Sequence, residues 1–156
     1  MEYSVSVLVS LLVRGCTAEF NESAVIEEGL FNVADEHVWD VLFDILKDND
    51  IHRFMLERLV DNLGFKMSDF KEYLRETGWT KEYDFTKEYI DFILNEVLKW
   101  EKWTFRYYSH IQSMDFEDVV RETGTEIAKE IKETLDTLIK WEAKHIEKLE
   151  KLLSSR

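Results

Sequence analysis

The sequence predicts an all-α fold in which four long helices form one domain across residues 1–156. Three observations carry that prediction. Apolar residues recur at spacings of three, four and seven along four long stretches, the period of one buried helix face. Proline, which removes a backbone donor and clashes inside a helix, is absent from the chain. Only five glycines occur, too few for the repeated tight turns of a sandwich or barrel. Hydrophobic residues make up 45% of the chain and aromatic residues 13%, which is enough apolar surface for a sizeable core.

The first helix is expected over residues 4–34. Its inward stripe is Val5, Leu8, Leu12, Gly15, Glu19, Ile26 and Leu30. A break at Asp35 and Glu36 leads into the second helix, residues 37–63. Its stripe is Val38, Leu42, Ile45, Asn49, His52, Leu56, Leu59 and Leu63, with Gly64 as the stop. A connection of about 20 residues follows, holding a short helix over 68–76 that Ser68 or Asp69 caps and Gly78 closes. A connection of that length can cross from one end of a bundle to the other, so the second and third helices can run parallel. The third helix is expected over residues 86–113, with the stripe Ile90, Leu94, Val97, Glu101 and Tyr108. After a loop near Gly124 the fourth spans 125–153, with the stripe Ile131, Leu135, Leu138, Glu142, His145, Leu149 and Leu152.

The two halves of the chain, residues 1–78 and 79–156, echo each other. An offset of 93 places Val38, Leu42 and Ile45 on Ile131, Leu135 and Leu138, and it places Asn49 on Glu142 and His52 on His145. An offset of 82 places Leu8, Leu12 and Glu19 on Ile90, Leu94 and Glu101. Any two amphipathic helices match in apolar period when slid suitably. The coincidence of the polar residues is the informative part.

Charge and cysteine content narrow the function. The formal net charge of −13 opposes binding to nucleic acid, which needs a basic surface to displace counterions from phosphates. It equally opposes an anionic membrane surface. The single cysteine, Cys16, excludes an intrachain disulfide or a cysteine-based metal site and suits a reducing, cytoplasmic compartment. The apolar run from Val5 to Val13 is too short to span a bilayer, and Glu2 ahead of it is unlike a signal peptide.

Five ionisable groups fall in the middle of stripes that are otherwise apolar: Glu19, His52, Glu101, Glu142 and His145, with Asn49 as a sixth polar residue. A carboxylate or imidazole buried without a partner is costly. Clustered carboxylates also repel and raise one another's pKa, and a divalent cation relieves that repulsion while neutral imidazoles complete its shell. Glu142 and His145 stand at the i, i+3 spacing that puts both on one helix face.

Single glutamates from two helices, combined with Glu-x-x-His motifs from the other two, are the ligand set of carboxylate-bridged two-metal bundles. On the residues 138–149 around Glu142 and His145, and on Glu101 with Tyr108 seven residues later, the chain resembles a ferritin-like domain of the rubrerythrin type. The architecture of that resemblance covers nearly the whole chain; its specific motifs lie on these two helices. It implies an antiparallel four-helix bundle with a long crossover between the second and third helices. It implies iron or manganese, one or two ions, held by Glu19, His52, Glu101, Glu142 and His145, with Glu142 bridging. The implied chemistry is ferrous-iron oxidation, or reduction of peroxide or dioxygen, in a homodimer packed through aromatic helix faces.

Asn49 departs from the pattern, because the family places a second bridging glutamate there; its amide oxygen is a neutral, weaker candidate metal ligand, and its other reading is a buried amide capping a network. Asp48 and Glu22 are the nearest acids that a small helix rotation can bring in. Without one of them the site holds a single metal, binds two weakly, or is vestigial in a non-enzymatic interaction protein. No cysteine-rich rubredoxin module accompanies the domain. Tyr108 has two readings, a packed aromatic of the Trp100–Tyr108 cluster or a redox-active, catalytic neighbour of the metals.

Overall fold

The computed structural model describes residues 4–70 and 89–156, which contain five α-helices and no strand. They are α1 (Val5–Asn32), α2 (Glu36–Asn62), α3 (Tyr89–Gln112), α4 (Glu117–Thr123) and α5 (Thr125–Ser154). Two helix starts fall where a side chain satisfies free amides of the first turn. Ser4 caps α1 by accepting from the Val7 amide. The expected break before the second helix is a cap: Asp35 Oδ1 accepts from the amides of His37 and Val38 at 3.0 and 3.2 Å. Gly124 ends α4 and opens α5 at φ +93°, a conformation that favours glycine. Helix α4 lies between the expected third and fourth helices, where the sequence predicts no separate helix but a loop near Gly124. The short helix expected over 68–76 begins as a 3-10 turn, Met67–Phe70, and its remainder lies outside the described residues. So does the expected start of the third helix at residues 86–88.

Four long helices pack around one another, α1 and α5 each lying against both α2 and α3. Each contact runs antiparallel. Gly15 lies near Leu56 of α2 and Tyr108 of α3, and Gly29 near Leu42 of α2 and Ile93 of α3. Asn62 of α2 reaches Glu130 of α5 while Asp48 reaches His145. Gln112 of α3 reaches Asp136 of α5 while Glu101 reaches His145. It follows that α2 and α3 run parallel to each other.

The apolar stripes meet in two clusters. One is centred on Leu8, Leu12, Leu56, Leu59, Ile131 and Leu135, the other on Ile26, Leu42, Ile45, Ile93, Leu94 and Leu149. Each of these side chains is essentially fully buried, contributing roughly 1.5–3 kcal/mol by leaving water. Every stripe residue expected on α2 and α5 is buried; on α1 and α3, Leu30 and Ile90 are only half-buried, and Gly29, Tyr89 and Ile93 take inner positions. No helix among the described residues is long and apolar enough to cross a membrane.

Gly15 is a close approach of α1 to α3. A Cβ there meets Tyr108 Cε1 at 2.9 Å and its hydroxyl at 3.3 Å, and Tyr108 is wholly buried and has no space to swing away. Alanine gains about 1 kcal/mol of helix propensity over glycine, but overpacking costs about 1–3 kcal/mol. Gly15→Ala is therefore expected to lower the melting temperature, by roughly 2–4 °C per kcal/mol of net loss. A thermal melt equal to or above that of the parent protein contradicts the packing described.

Candidate metal centre

Between the two apolar clusters lies a layer of polar side chains. Helix α1 supplies Glu19 and Glu22, α2 supplies Asn49 and His52, α3 supplies Glu101, Thr104 and Tyr108, and α5 supplies Glu142 and His145. All nine are at most 1% exposed. Within each helix they are three, four or seven residues apart, so the i, i+3/i+4 geometry puts them on the inward face.

Five of the residues expected at a metal site come together in two overlapping groups. Glu19, His52 and Glu142 form one, Glu101, Glu142 and His145 the other, and within each group the candidate ligand atoms lie within 4.8 Å of one another. Glu142 belongs to both. His52 Nδ1 stands 3.3 Å from Glu19 Oε1 and 2.9 Å from Glu142 Oε1. His145 Nδ1 stands 3.2 Å from Glu101 Oε2. The near-equal Glu19–His52 and Glu101–His145 distances reproduce in space the internal echo of the sequence. These buried groups could hold a metal ion.

Further contacts orient the acids. The Tyr108 hydroxyl donates to Glu19 Oε1 at 2.7 Å, and Thr104 Oγ1 donates to Glu142 Oε2 at 3.1 Å. With its side-chain amide turned to suit its surroundings, Asn49 donates to Glu19 Oε2 at 3.1 Å and to the Ile45 carbonyl at 3.2 Å. Its NH2 group thus serves as a donor to Glu19. Asp48 sits outside the layer: its Oδ2 accepts from His145 Nε2 at 2.8 Å and from Trp141 Nε1 at 3.0 Å. It holds the outward nitrogen of His145 and does not enter the layer beside Asn49. With Nε2–H committed to Asp48, a neutral His145 points its Nδ1 lone pair at the Glu101 carboxylate. Two acceptors facing each other need a proton or a cation between them.

At Asp48's equivalent position in the other half stands Trp141, whose ring meets His52 edge-on at 4.9 Å. No hydrogen-bond partner reaches His52 Nε2 among the described residues. Both oxygens of Glu22, Glu101 Oε1 and Glu142 Oε1 also lack hydrogen-bond partners there, although Glu142 Oε1 lies close to His52.

Energetics rule out four free carboxylates in this layer. An ionised group buried without compensation costs several kcal/mol even after relaxation, and a whole domain is stable by only about 5–15 kcal/mol. Among the described residues no lysine or arginine is ion-paired with Glu19, Glu22, Glu101 or Glu142; histidines are their only cationic partners. Protons therefore redistribute. Burial and the Glu142 charge push Glu19 up to about 7, against the pull of His52 and Tyr108. Burial raises Glu22 and Glu101 well above the usual carboxylate range, and for Glu101 the neighbouring Glu22 and Glu142 add to it. Glu142 is held down at about 2: burial opposes its charge, but Glu101 and His52 outweigh that. Burial disfavours the charged form of His52, yet Glu19 and Glu142 lift it to about 10. Burial lowers His145. Protonated acids and an imidazolium occupy the layer, and a metal ion binding there would displace their protons.

Cys16 is a buried thiol raised to about 12, chiefly by burial, and it packs as a small apolar side chain. Trp103 is 40% exposed and stacks on Tyr107 at 4.6 Å.

Asp48→Asn is expected to weaken metal binding by roughly 10–100-fold, the usual cost of losing the partner that orients a ligating imidazole. The fold should persist, because Asp48 is partly exposed. A metal titration with unchanged affinity contradicts the orienting role. Comparison of the chain with protein-family models, with curated proteins and with solved structures finds no match.

Proposed function

We propose that this protein is a ferritin-like, two-metal carboxylate protein of the rubrerythrin type, an antiparallel four-helix bundle whose long crossover joins α2 to α3. The observation that carries the reading is the sharing of Glu142 by two three-ligand groups inside a sealed, acid-rich layer. One carboxylate common to two sites is what a cation pair requires. The orphaned oxygens of Glu101 and Glu142 are the donor atoms that cations would satisfy. Carboxylate oxygen with imidazole nitrogen suits iron or manganese, and the absence of thiolate ligands disfavours softer metals.

The chain's own residues have separable tasks. Glu19 and His52 would hold one ion, Glu101 and His145 the other, and Glu142 would serve both. Thr104 and Tyr108 fix carboxylate orientation by donating to Glu142 and Glu19. The flanking apolar clusters exclude bulk water, which strengthens every electrostatic contact inside. A bound iron or manganese pair would supply electrons to dioxygen or peroxide, or take them from ferrous iron. Tyr108 is the protein group hydrogen-bonded to a metal ligand that is itself redox-capable, which is its claim to a catalytic role. The reading includes a cytoplasmic homodimer packed through aromatic faces; the exposed rings of Phe20 and Trp103 support it.

The test is elemental analysis of untagged protein together with Fe(II) and Mn(II) titration of the metal-free form without oxygen. The expected result is two ions per chain in the titration. No bound metal under either condition favours the other reading, a helical interaction protein whose Asn49 marks a lost site.

A further inference from the structure

Asn49 leaves α2 without an acid in the layer, and the structure holds a buried acid nearby with no donor of its own. Glu22 is wholly buried, its close polar neighbour is the Glu101 carboxyl group, and in the ionised form neither of its oxygens has a donor among the described residues. Every other acid of the layer has at least one: Glu19 has Tyr108, Glu101 has His145, and Glu142 has Thr104. The Glu22 carboxyl group lies against that of Glu101 and close to Glu19, Glu142 and His52.

The internal echo explains the placement. The offset of 82 that carries Glu19 to Glu101 carries Glu22 to Thr104, and the offset of 93 that carries His52 to His145 carries Asn49 to Glu142. In one half the neighbouring pair is Thr104 and Glu142, a neutral hydroxyl on α3 donating to an acid on α5. In the other half the pair is Glu22 and Asn49, an acid on α1 and a neutral amide on α2. Acid and neutral group have changed helices, so each half still contributes two carboxylates.

Resting on the two-cation reading, we infer that Glu22 is a metal ligand that replaces from α1 the carboxylate α2 lacks, and that it binds the ion held by Glu101, Glu142 and His145. Its neighbour Glu101 selects that ion; Glu22 is in neither three-ligand group, so its carboxylate must move towards the ion to bind it. The layer then offers four carboxylates and two imidazoles, enough negative charge to balance two divalent cations. Asn49 is left to hold Glu19 in place by donating to it.

The experiment is equilibrium dialysis of metal-free full-length protein against Mn(II), with electron paramagnetic resonance of the loaded sample. Wild type should bind two ions and show the spin-coupled signal of a close pair. Glu22→Gln should keep one ion at wild-type affinity, bind the other at least about tenfold more weakly, and show a mononuclear signal. The metal-free variant should melt above wild type, because a buried unpaired acid has been removed. Glu22→Leu, which suits an apolar core, should lose the same ion and serves if the glutamine variant fails to fold. Either variant binding two ions at wild-type affinity with a coupled signal overturns the assignment of Glu22 and leaves the two-cation site standing. Wild type that takes up no Mn(II) overturns both.

Discussion

Glu142→Gln should remove both ions at once, because both candidate sites pass through this residue. The loss should exceed the roughly 10–100-fold that removal of an outer hydrogen-bond partner costs. Glutamine keeps the shape and keeps an oxygen for Thr104, so the fold should survive. Both variants strip His52 of an anionic partner, but Glu142→Ala also leaves a cavity, which costs about 2–5 kcal/mol in large-to-small core changes, so the alanine variant alone would confuse ligand loss with unfolding. Equilibrium dialysis with circular dichroism on both variants separates the two effects. Full two-ion occupancy in folded Glu142→Gln would falsify the bridging role. Loss of one ion only would mean that Glu142 serves a single site.

The second large effect is a reversal of pH dependence on metal loading. In the metal-free protein Glu19 is raised from 4.5 to about 7, so its contribution is fully present below 4.5 and is lost as pH rises through 7. His52, raised from 6.5 to about 10, adds a loss of the same sign between those values. Glu22 and Glu101, both raised, act in the same direction. Glu142, held at about 2, works oppositely, its contribution disappearing as pH falls below 4.5. His145, lowered, also favours the higher pH side of 6.5. Three acids and one imidazole outweigh one of each, so metal-free protein should lose stability from about pH 4.5 upward. Glu19 alone accounts for a change on the order of 3 kcal/mol.

Metal loading should abolish that decline, because cations compete with protons for the same atoms and bind more tightly as pH rises. At a free metal concentration 100-fold above Kd each ion adds about 2.7 kcal/mol. At roughly 2–4 °C per kcal/mol, that is about 5–11 °C of melting temperature per ion. The net charge of −13 also disfavours the fold at high pH. The melts therefore belong at high salt, which screens the surface but not the buried layer. A metal-free melting temperature that stays level or rises from pH 5 to 9 contradicts the burial of these acids.

Most of the candidate site was legible because polar residues stood out against apolar periodicity. On α2 and α5 each stripe residue is separated from the next by three or four positions, and Asn49, His52, Glu142 and His145 interrupt it unmistakably. On the other two long helices the stripes were read with a step of seven, from Glu19 to Ile26 and from Glu101 to Tyr108. Each step hides a polar residue on the same face: Glu22 in the first, Thr104 in the second, both wholly buried. Glu22 needs no helix rotation to reach the layer. The signal was available, since 15, 19, 22 and 26 follow the helical period more closely than a gap of seven. It was blurred on α1 because that helix is buried on several sides, with Thr17, Asn21 and Ser23 also inside. The role of Asp48 was not legible at all. It depends on which nitrogen of His145 faces outward, and no sequence spacing specifies that.

Whether two cations sit beside Glu142 in the buried layer is decided by anomalous difference maps from crystals grown with Mn(II) or Fe(II), collected either side of the metal's absorption edge. Two peaks about 3.5–4 Å apart are expected, one bounded by Glu19 and His52, the other by Glu101 and His145, with the Glu142 carboxylate between them. A core without anomalous density, with metal found only on surface carboxylates, would contradict it.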